Sequence, residues 1–234
     1  MRLLIDVGNT AVKLALAEQQ TIKVIAQSDI PWGKLSEVLV AQVGKSDELT
    51  PYTVKAQQLN IPIIHAYVTP VLGQLHCAYT QYQNLGIDRW LTVVACHYLY
   101  PNKHCVIVDS GTATKVDVLS ARGQHLGGWI LPGLDMMVSS VVSNTQKVFS
   151  DEQSLYTQEL GKNTPNAVKN GALVATLGAV YAGIASLECD KHDLNVICAG
   201  GYGEFISQQL ECETLFHDFL VFQGLLFWRK NIQL

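Results

Sequence analysis

Three short stretches carry the side chains that could do chemistry. The first is Leu3-Leu4-Ile5-Asp6-Val7-Gly8-Asn9-Thr10-Ala11-Val12-Lys13, an apolar run that ends in an acid and passes through a glycine turn into an alternating stretch. Asp6 is a hard oxygen ligand suited to a magnesium-bound phosphate. Gly8 lets a ligand approach the backbone closely, Asn9 and Thr10 offer short polar groups beside the turn, and Lys13 adds a point charge. The second stretch, Cys105 to Val118, repeats the plan: strand, Asp109, Ser110, Gly111, Thr112, Ala113, outgoing strand. One such turn is also what an ordinary polar hairpin looks like; two of them point to a duplicated domain with a phosphate turn in each half. The third is Leu85-Gly86-Ile87-Asp88-Arg89-Trp90, where an acid and an arginine open an apolar helix. Asp88 could serve as a general base toward a hydroxyl, with Arg89 pairing to a carboxylate or phosphate. The bland alternative is an Asp that caps the helix beside a surface Arg.

The elements that would position these groups can be read from periodicity. Each acid turn predicts a β-hairpin, with a further strand over Thr21–Gln27. Leu35, Val38, Leu39 and Val43 predict an amphipathic helix over Lys34–Val43, and Pro51, Pro62 and Pro70 predict a broken strand-and-loop section over 44–60. Ile61–Val68 reads as a strand, and Trp90–Tyr100 as a helix ended by Pro101. Gly127 to Gly133 reads as a glycine-rich strand and turn, followed by a helix over Leu134–Val148. Thr164 and Pro165 predict the start of a long apolar helix, with Thr164 as its cap. Asn195–Ala199 reads as a buried strand and Thr214–Arg229 as a closing helix. Domains are expected at 1–102 and 103–234.

Composition narrows the function classes. The 234 residues are 48% hydrophobic and 15% charged, with a net charge of −4 and no basic run. Nucleic acid and anionic membrane surfaces are therefore not expected partners. Six cysteines without a C-x-x-C pair read as reduced thiols of a cytoplasmic protein, and seven scattered histidines lack zinc spacing. Gly171–Leu187 is 17 residues without a charge. It falls short of the roughly 20 needed to cross a bilayer, and its small residues suit close helix packing, so it reads as a buried helix at or near a dimer interface.

Taken together and in order, D-x-G-N-T-x-x-K, L-G-x-D-R-W, D-x-G-T-A, G-G-x-I-x-P-G and the Asn163-Thr164 lead into the small-residue helix resemble type III pantothenate kinase. The likeness covers nearly the whole chain. It implies a two-domain actin-like (ribonuclease H-like) α/β fold with duplicated mixed sheets, flanking helices and an interdomain cleft. It also implies ATP-dependent phosphorylation of pantothenate, the first step of coenzyme A synthesis, by a homodimer. On this resemblance Asp6, Val7, Gly8, Asn9, Thr10, Ala11, Val12 and Lys13 hold ATP phosphates with Mg2+, and Thr112 also touches ATP. Asp88 is the base; Tyr79, Gly86, Ile87, Asp88, Arg89 and Thr164 bind pantothenate; Asp109 holds a monovalent cation, K+ or NH4+. Tyr82 competes with Tyr79 for its role, and Thr164 is also explained as a cap. The stretch between Gly33 and Ile61 looks shorter than usual, Lys115 stands where a threonine is usual, and Ala199 and Tyr202 replace the Thr and Asp of a T-G-G-D-A pattern. Strand alternation puts Lys115 on the face of Asp117, where it pairs with that acid, reaches solvent, or carries its ammonium to the cation's place beside Asp109. Two rival readings are a kinase of another small hydroxylated substrate and a family member that has lost catalysis and acts as a regulatory or accessory binding protein.

Overall fold

Strand-forming apolar runs build two five-stranded sheets with the same internal order. The computed structural model describes residues 1–8, 11–19, 21–43 and 47–232. In the first half, β1 (Arg2–Val7), β2 (Val12–Glu18), β3 (Thr21–Val24), β4 (Glu37–Gln42) and β5 (Ile63–His65) are ordered β3-β2-β1-β4-β5. β1 pairs antiparallel with β2 and parallel with β4, which is parallel to β5. Helix α1 (Thr50–Gln58) joins β4 to β5 and covers one face of the sheet. Its Tyr52 and Ala56 pack on Leu3, Ile5, Val38 and Val40. A small ribbon follows, β6 (Val71–Leu72) with β7 (Leu75–His76), and then helix α2 (Ile87–Leu99).

The second half repeats this plan. β8 (His104–Ser110), β9 (Ala113–Leu119), β10 (His125–Pro132), β11 (Leu194–Ala199) and β12 (Thr214–Phe216) are ordered β10-β9-β8-β11-β12. β8 pairs antiparallel with β9 and parallel with β11, as β1 does with β2 and β4. Helices α3 (Leu134–Asn144) and α4 (Thr164–Ala185) lie between β10 and β11, and α5 (Gly203–Gln209) joins β11 to β12. Val106, Val108, Val116 and Val118 meet Leu134, Leu173, Leu177 and Val180 in the core of this half. The closing helix α6 (Leu220–Asn231) packs on α2 and β1, so the contacts group 219–234 and 122–125 with residues 1–101, and the rest form the second unit. Contact between α2 and α6 is close enough that a Cβ on Gly224 would stand 1.9 Å from the Leu91 carbonyl oxygen. Glu37, buried at the start of β4, accepts from Arg2 Nε at 2.6 Å and from Arg229 Nε at 3.0 Å, tying the sheet to α6.

Several local expectations change. Lys34–Val43 is not a helix: Glu37–Gln42 is the strand β4, buried on both faces, so its apolar residues run nearly continuously. Within 44–60, residues 44–46 lie outside the described residues, and the rest is mainly α1. Pro51 does not break that helix but sits in its first turn, where its missing N–H is not needed. The cap of α4 is Asn163, whose Oδ1 accepts the Asn166 N–H at 2.8 Å, and Thr164 is the first helical residue. Thr214–Phe216 is the edge strand β12, and the closing helix starts only at Leu220. Helix α4 is buried on one face only. Val174, Ala175, Gly178, Tyr181 and Ala182 are exposed, Val174 at 51%. Among the described residues, α4 is the one helix long and apolar enough to cross a membrane by length and composition. Its packed face belongs to the core of the second unit.

Candidate functional site

Within the first unit, the half-buried Asp6 is the next-to-last residue of β1, and the register sets Asp6 opposite Lys13. Val7 pairs with Val12, and the turn between them closes with the Gly8 N–H on the Ala11 carbonyl at 3.1 Å. Asn9 and Thr10, both expected at the phosphate turn, lie outside the described residues. A Cβ on Gly8 would meet the Ala11 oxygen at an ordinary 3.5 Å, so no described neighbour demands glycine there. Lys13 is exposed.

Helix α2 starts three residues earlier than its apolar periodicity alone suggests, which brings Asp88 into the first turn. Gly86 is the N-cap, and the Asp88 carboxylate accepts the Arg89 N–H at 2.9 Å. An acid is electrostatically favoured at this end of a helix. Space for that carboxylate comes from Gly86, where a Cβ would stand 2.6 Å from Asp88 Oδ1. Arg89 is no surface residue: it is 3% exposed, and its Nη1 donates to the Tyr79 hydroxyl at 2.9 Å. The guanidinium also lies over the Tyr79 ring, which stacks on the buried His125. Tyr79 is thus the tyrosine joined to Arg89. Tyr82 instead lines a cavity of about 550 Å³, together with Gln42, Val43, Thr69, Gly86 and Ile87. The Val43 N–H donates to the Val7 carbonyl, so this cavity adjoins the strand end that carries Asp6. Its volume falls within the range of small-molecule sites.

Sequence reasoning missed two participants here. The Thr69 hydroxyl is buried in the cavity lining without a hydrogen-bond partner. His125 supports Tyr79 from a distant strand. Neither lies in a motif, and no spacing signals either one.

In the second unit, Asp109 is the next-to-last residue of β8, as Asp6 is of β1. Ser110 and Thr114 face each other across the hairpin, with their buried hydroxyls 2.8 Å apart. Thr112 is exposed at the tip, its carbonyl accepting the Gly133 N–H at 2.9 Å. A Cβ on Gly133 would lie 2.1 Å from the Gly111 oxygen, so the glycine-rich strand end presses directly on the acid turn. Gly200, at φ +84°, buttresses the other side: a Cβ there would be 2.4 Å from the Ser110 carbonyl oxygen. Lys115, opposite Asp109 in the register, donates from Nζ to Asp109 Oδ2 at 2.9 Å. Tyr202, at the family's usual aspartate position, donates to Asp135 Oδ2 at 2.6 Å, and Tyr156 donates to Oδ1 at 2.8 Å. Burial and then the Asp135 carboxylate push the Tyr202 hydroxyl up to about 12 and raise Tyr156 further. Burial likewise pushes the Cys198 thiol up to about 12, as suits an inert interior cysteine. Thr164 is half-buried at the start of α4.

Two sheets of one strand order, each with an acid-ended hairpin at its centre, define an α/β fold of the actin-like ATPase and sugar-kinase class. A chain described as a Baf family transcriptional activator from Campylobacter jejuni shares this fold at TM-score 0.61 and 22% identity, covering 99% of this chain and 100% of its own. A protein described as a 2-dehydro-3-deoxygalactonokinase from Sinorhizobium meliloti shares it at TM-score 0.52 and 11% identity, over 99% of each chain. Within that class the chain belongs to the type III pantothenate kinase family, whose model matches residues 23–186. It is 49% identical to the type III pantothenate kinase of Pseudoalteromonas translucida, covering 97% of this chain and 96% of the relative. It is 32% identical to that of Colwellia psychrerythraea, covering 96% and 98%.

Proposed function

We propose that this chain transfers the γ-phosphoryl group of ATP to the 4′-hydroxyl of pantothenate, giving 4′-phosphopantothenate and ADP and opening coenzyme A synthesis. The observation that carries the site assignment is the Gly86–Asp88–Arg89 corner. A carboxylate is held in the first turn of a buried helix, beside an arginine bonded to Tyr79, and directly follows Gly86 and Ile87, which line a cavity of substrate size. Asp88 accepts the proton of the substrate hydroxyl as that oxygen attacks the γ-phosphorus in line and the bond to the β-phosphate oxygen breaks. Phosphoryl transfer asks little covalent chemistry of a protein beyond such positioning and charge stabilisation. Arg89 pairs with the pantothenate carboxylate, Tyr79 orients Arg89, and Gly86 and Ile87 form the wall beside them. Thr164 is assigned a substrate contact as well.

The nucleotide assignments are Asp6, Val7, Gly8, Asn9, Thr10, Ala11, Val12, Lys13 and the exposed Thr112. Asp6 fits a magnesium ion. This half-buried acid stands one residue before the end of a strand, and magnesium is commonly held by one or two carboxylates with phosphate oxygens and water. When bound, magnesium would neutralise phosphate charge. Among the described residues no cluster of three or more His, Cys, Asp or Glu could hold a metal alone. Asp109 is already paired with Lys115.

The same proposal places domains near 1–102 and 103–234, with α6 returned to the first, and makes the protein a cytoplasmic homodimer that binds neither nucleic acid nor membrane. The exposed stripe Val174, Ala175, Gly178, Tyr181 and Ala182 on α4 supports self-association through this helix. The direct test is a coupled assay with ATP, magnesium and a panel of small hydroxylated acids. Turnover of pantothenate should dominate. Asp88→Asn should keep ATP binding and lose about 10²-fold or more in turnover, the least expected of a general base. A variant keeping more than about a tenth would remove Asp88 from that role.

A further inference from the structure

The family resemblance assigns a monovalent cation to Asp109, and the residues around Asp109 do not fit one. Register places Lys115 directly across the hairpin from Asp109, and its ammonium donates to Oδ2 at 2.9 Å. Both side chains are largely withdrawn from water, at 22% exposure for Lys115 and 17% for Asp109. The other carboxylate oxygen is hemmed in as well. A Cβ on Gly200 would stand 2.6 Å from Asp109 Oδ1, so the 200–201 turn lies directly against it. A charge-assisted bond of this length, partly shielded from solvent, is among the stronger polar contacts and is little screened by salt. A potassium ion on the same carboxylate would have to shed water and sit beside a second unit positive charge, and both changes oppose binding. The equivalent position of the first hairpin behaves differently: Lys13 stands opposite Asp6 in the register but is exposed.

We propose that the Lys115 ammonium occupies the place of the monovalent cation at the Asp109 turn, so that this kinase works without potassium. A lysine ammonium is a compact single positive charge on a flexible stem, the same formal charge as the ion it replaces. Being covalently attached, it stands opposite Asp109 whatever the salt composition, which a dissociable ion cannot do. The proposal rests on the kinase reading for its rate measurement, whereas its binding measurements stand apart from catalysis.

The test compares wild type with Lys115→Thr and Lys115→Met at one ionic strength, in potassium chloride and in tetramethylammonium chloride, with magnesium and ATP present. Equilibrium dialysis with a radioactive rubidium tracer counts bound monovalent cation, and thermal melting reads its effect on the fold. Wild type should bind no rubidium and melt at one temperature in both salts. Lys115→Thr should bind rubidium and melt higher in potassium. Its turnover in tetramethylammonium should fall by about tenfold or more and recover with potassium, the scale of one charge-assisted contact. Lys115→Met, which removes the charge and adds no oxygen ligand, should lose turnover in both salts. Stoichiometric rubidium uptake by the wild type, or a potassium-specific rise in its melting temperature, overturns the proposal. So does a Lys115→Thr variant indifferent to potassium in both binding and melting. A wild type that excludes rubidium yet phosphorylates nothing would refute the kinase reading and leave this one intact.

Discussion

Replacing Gly86 by alanine separates the positioning of Asp88 from the stability of the fold. The added Cβ would lie 2.6 Å from Asp88 Oδ1, inside any tolerable carbon–oxygen contact, so the carboxylate must move by about 1 Å. What yields is the end of a side chain rather than backbone, and Gly86 has φ −58° and ψ 134°, which alanine adopts without strain. The structural cost is chiefly the bond from the Arg89 N–H to Asp88, worth about 1.5–3 kcal/mol as a charged hydrogen bond. Lower entropy of the unfolded chain offsets about 0.4–1 kcal/mol of that. The balance of roughly 1–2 kcal/mol corresponds to a melting-temperature loss of about 2–8 °C for a chain of this size. Catalysis should suffer far more, because a displacement of about 1 Å at a reacting group can cost about 10²-fold. The assay is steady-state kinetics with pantothenate, combined with calorimetry and nucleotide binding. Turnover should fall about 10²-fold while ATP affinity holds. A double variant with Asp88→Asn makes the test strict: if Gly86→Ala acts through Asp88, the two losses must not add. A folded Gly86→Ala enzyme with wild-type turnover, or fully additive losses, would refute the reasoning.

Other consequences can be checked with purified protein. Ala175→Glu, on the exposed stripe of α4, should convert a dimer to monomer with little change in the monomer's fold; unchanged dimer mass by light scattering would move the interface elsewhere. Gly224→Ala drives a Cβ to 1.9 Å from the Leu91 carbonyl oxygen, so α2 and α6 must part. Overpacking of about 1–3 kcal/mol should outweigh the gain of about 1 kcal/mol in helix propensity, and a raised melting temperature would contradict the packing. Burial lowers the pKa of His97 from its ordinary 6.5, so below that pH the unfolded chain takes up a proton that the native chain resists. The His97 contribution is therefore intact above pH 6.5 and erodes as the solution is acidified from there toward the lowered folded value. Calorimetry of wild type against His97→Asn across that window should show a flatter profile for the variant, and parallel curves would exclude His97.

What could be read in the sequence follows from what each residue answers to. The hairpins around Asp6 and Asp109 and the buried face of α2 were legible because local alternation, glycine and a 3.6-residue repeat are short-range signals. Strand β4 misled because burial on both faces erases alternation, leaving apolar spacings that also suit a helix. Proline 51 misled because the same ring that breaks a helix interior favours its first turn. At the site, the glycines were visible but several of their reasons were not. Gly133 and Gly200 are small because the backbone of a turn distant in sequence lies against them. Such requirements exist only once the second sheet has assembled. Spacing alone does not tell which tyrosine meets Arg89; in the fold it is the Tyr79 hydroxyl, while Tyr82 lines the cavity.

The duplication itself explains the departure at Lys115. Both sheets place an acid one residue before the end of their central strand and a lysine directly opposite, Asp6 with Lys13 and Asp109 with Lys115. Alternation fixes the face on which Lys115 emerges, but only the length of the turn fixes which residue it meets. In the second hairpin the ladder closes tightly, at Ser110 with Thr114, and that register brings Lys115 across from Asp109. The surroundings then decide what the pair does. Gly133 and Gly200 close around the second turn and leave the lysine and the acid partly shielded, a setting that favours a direct ion pair. At the first hairpin Lys13 remains in water. An exposed lysine beside an acid turn remains available to phosphate, whereas one bonded to that acid neutralises it. Two copies of one hairpin therefore differ in their electrostatics, one leaving its lysine exposed and the other carrying its own counter-charge.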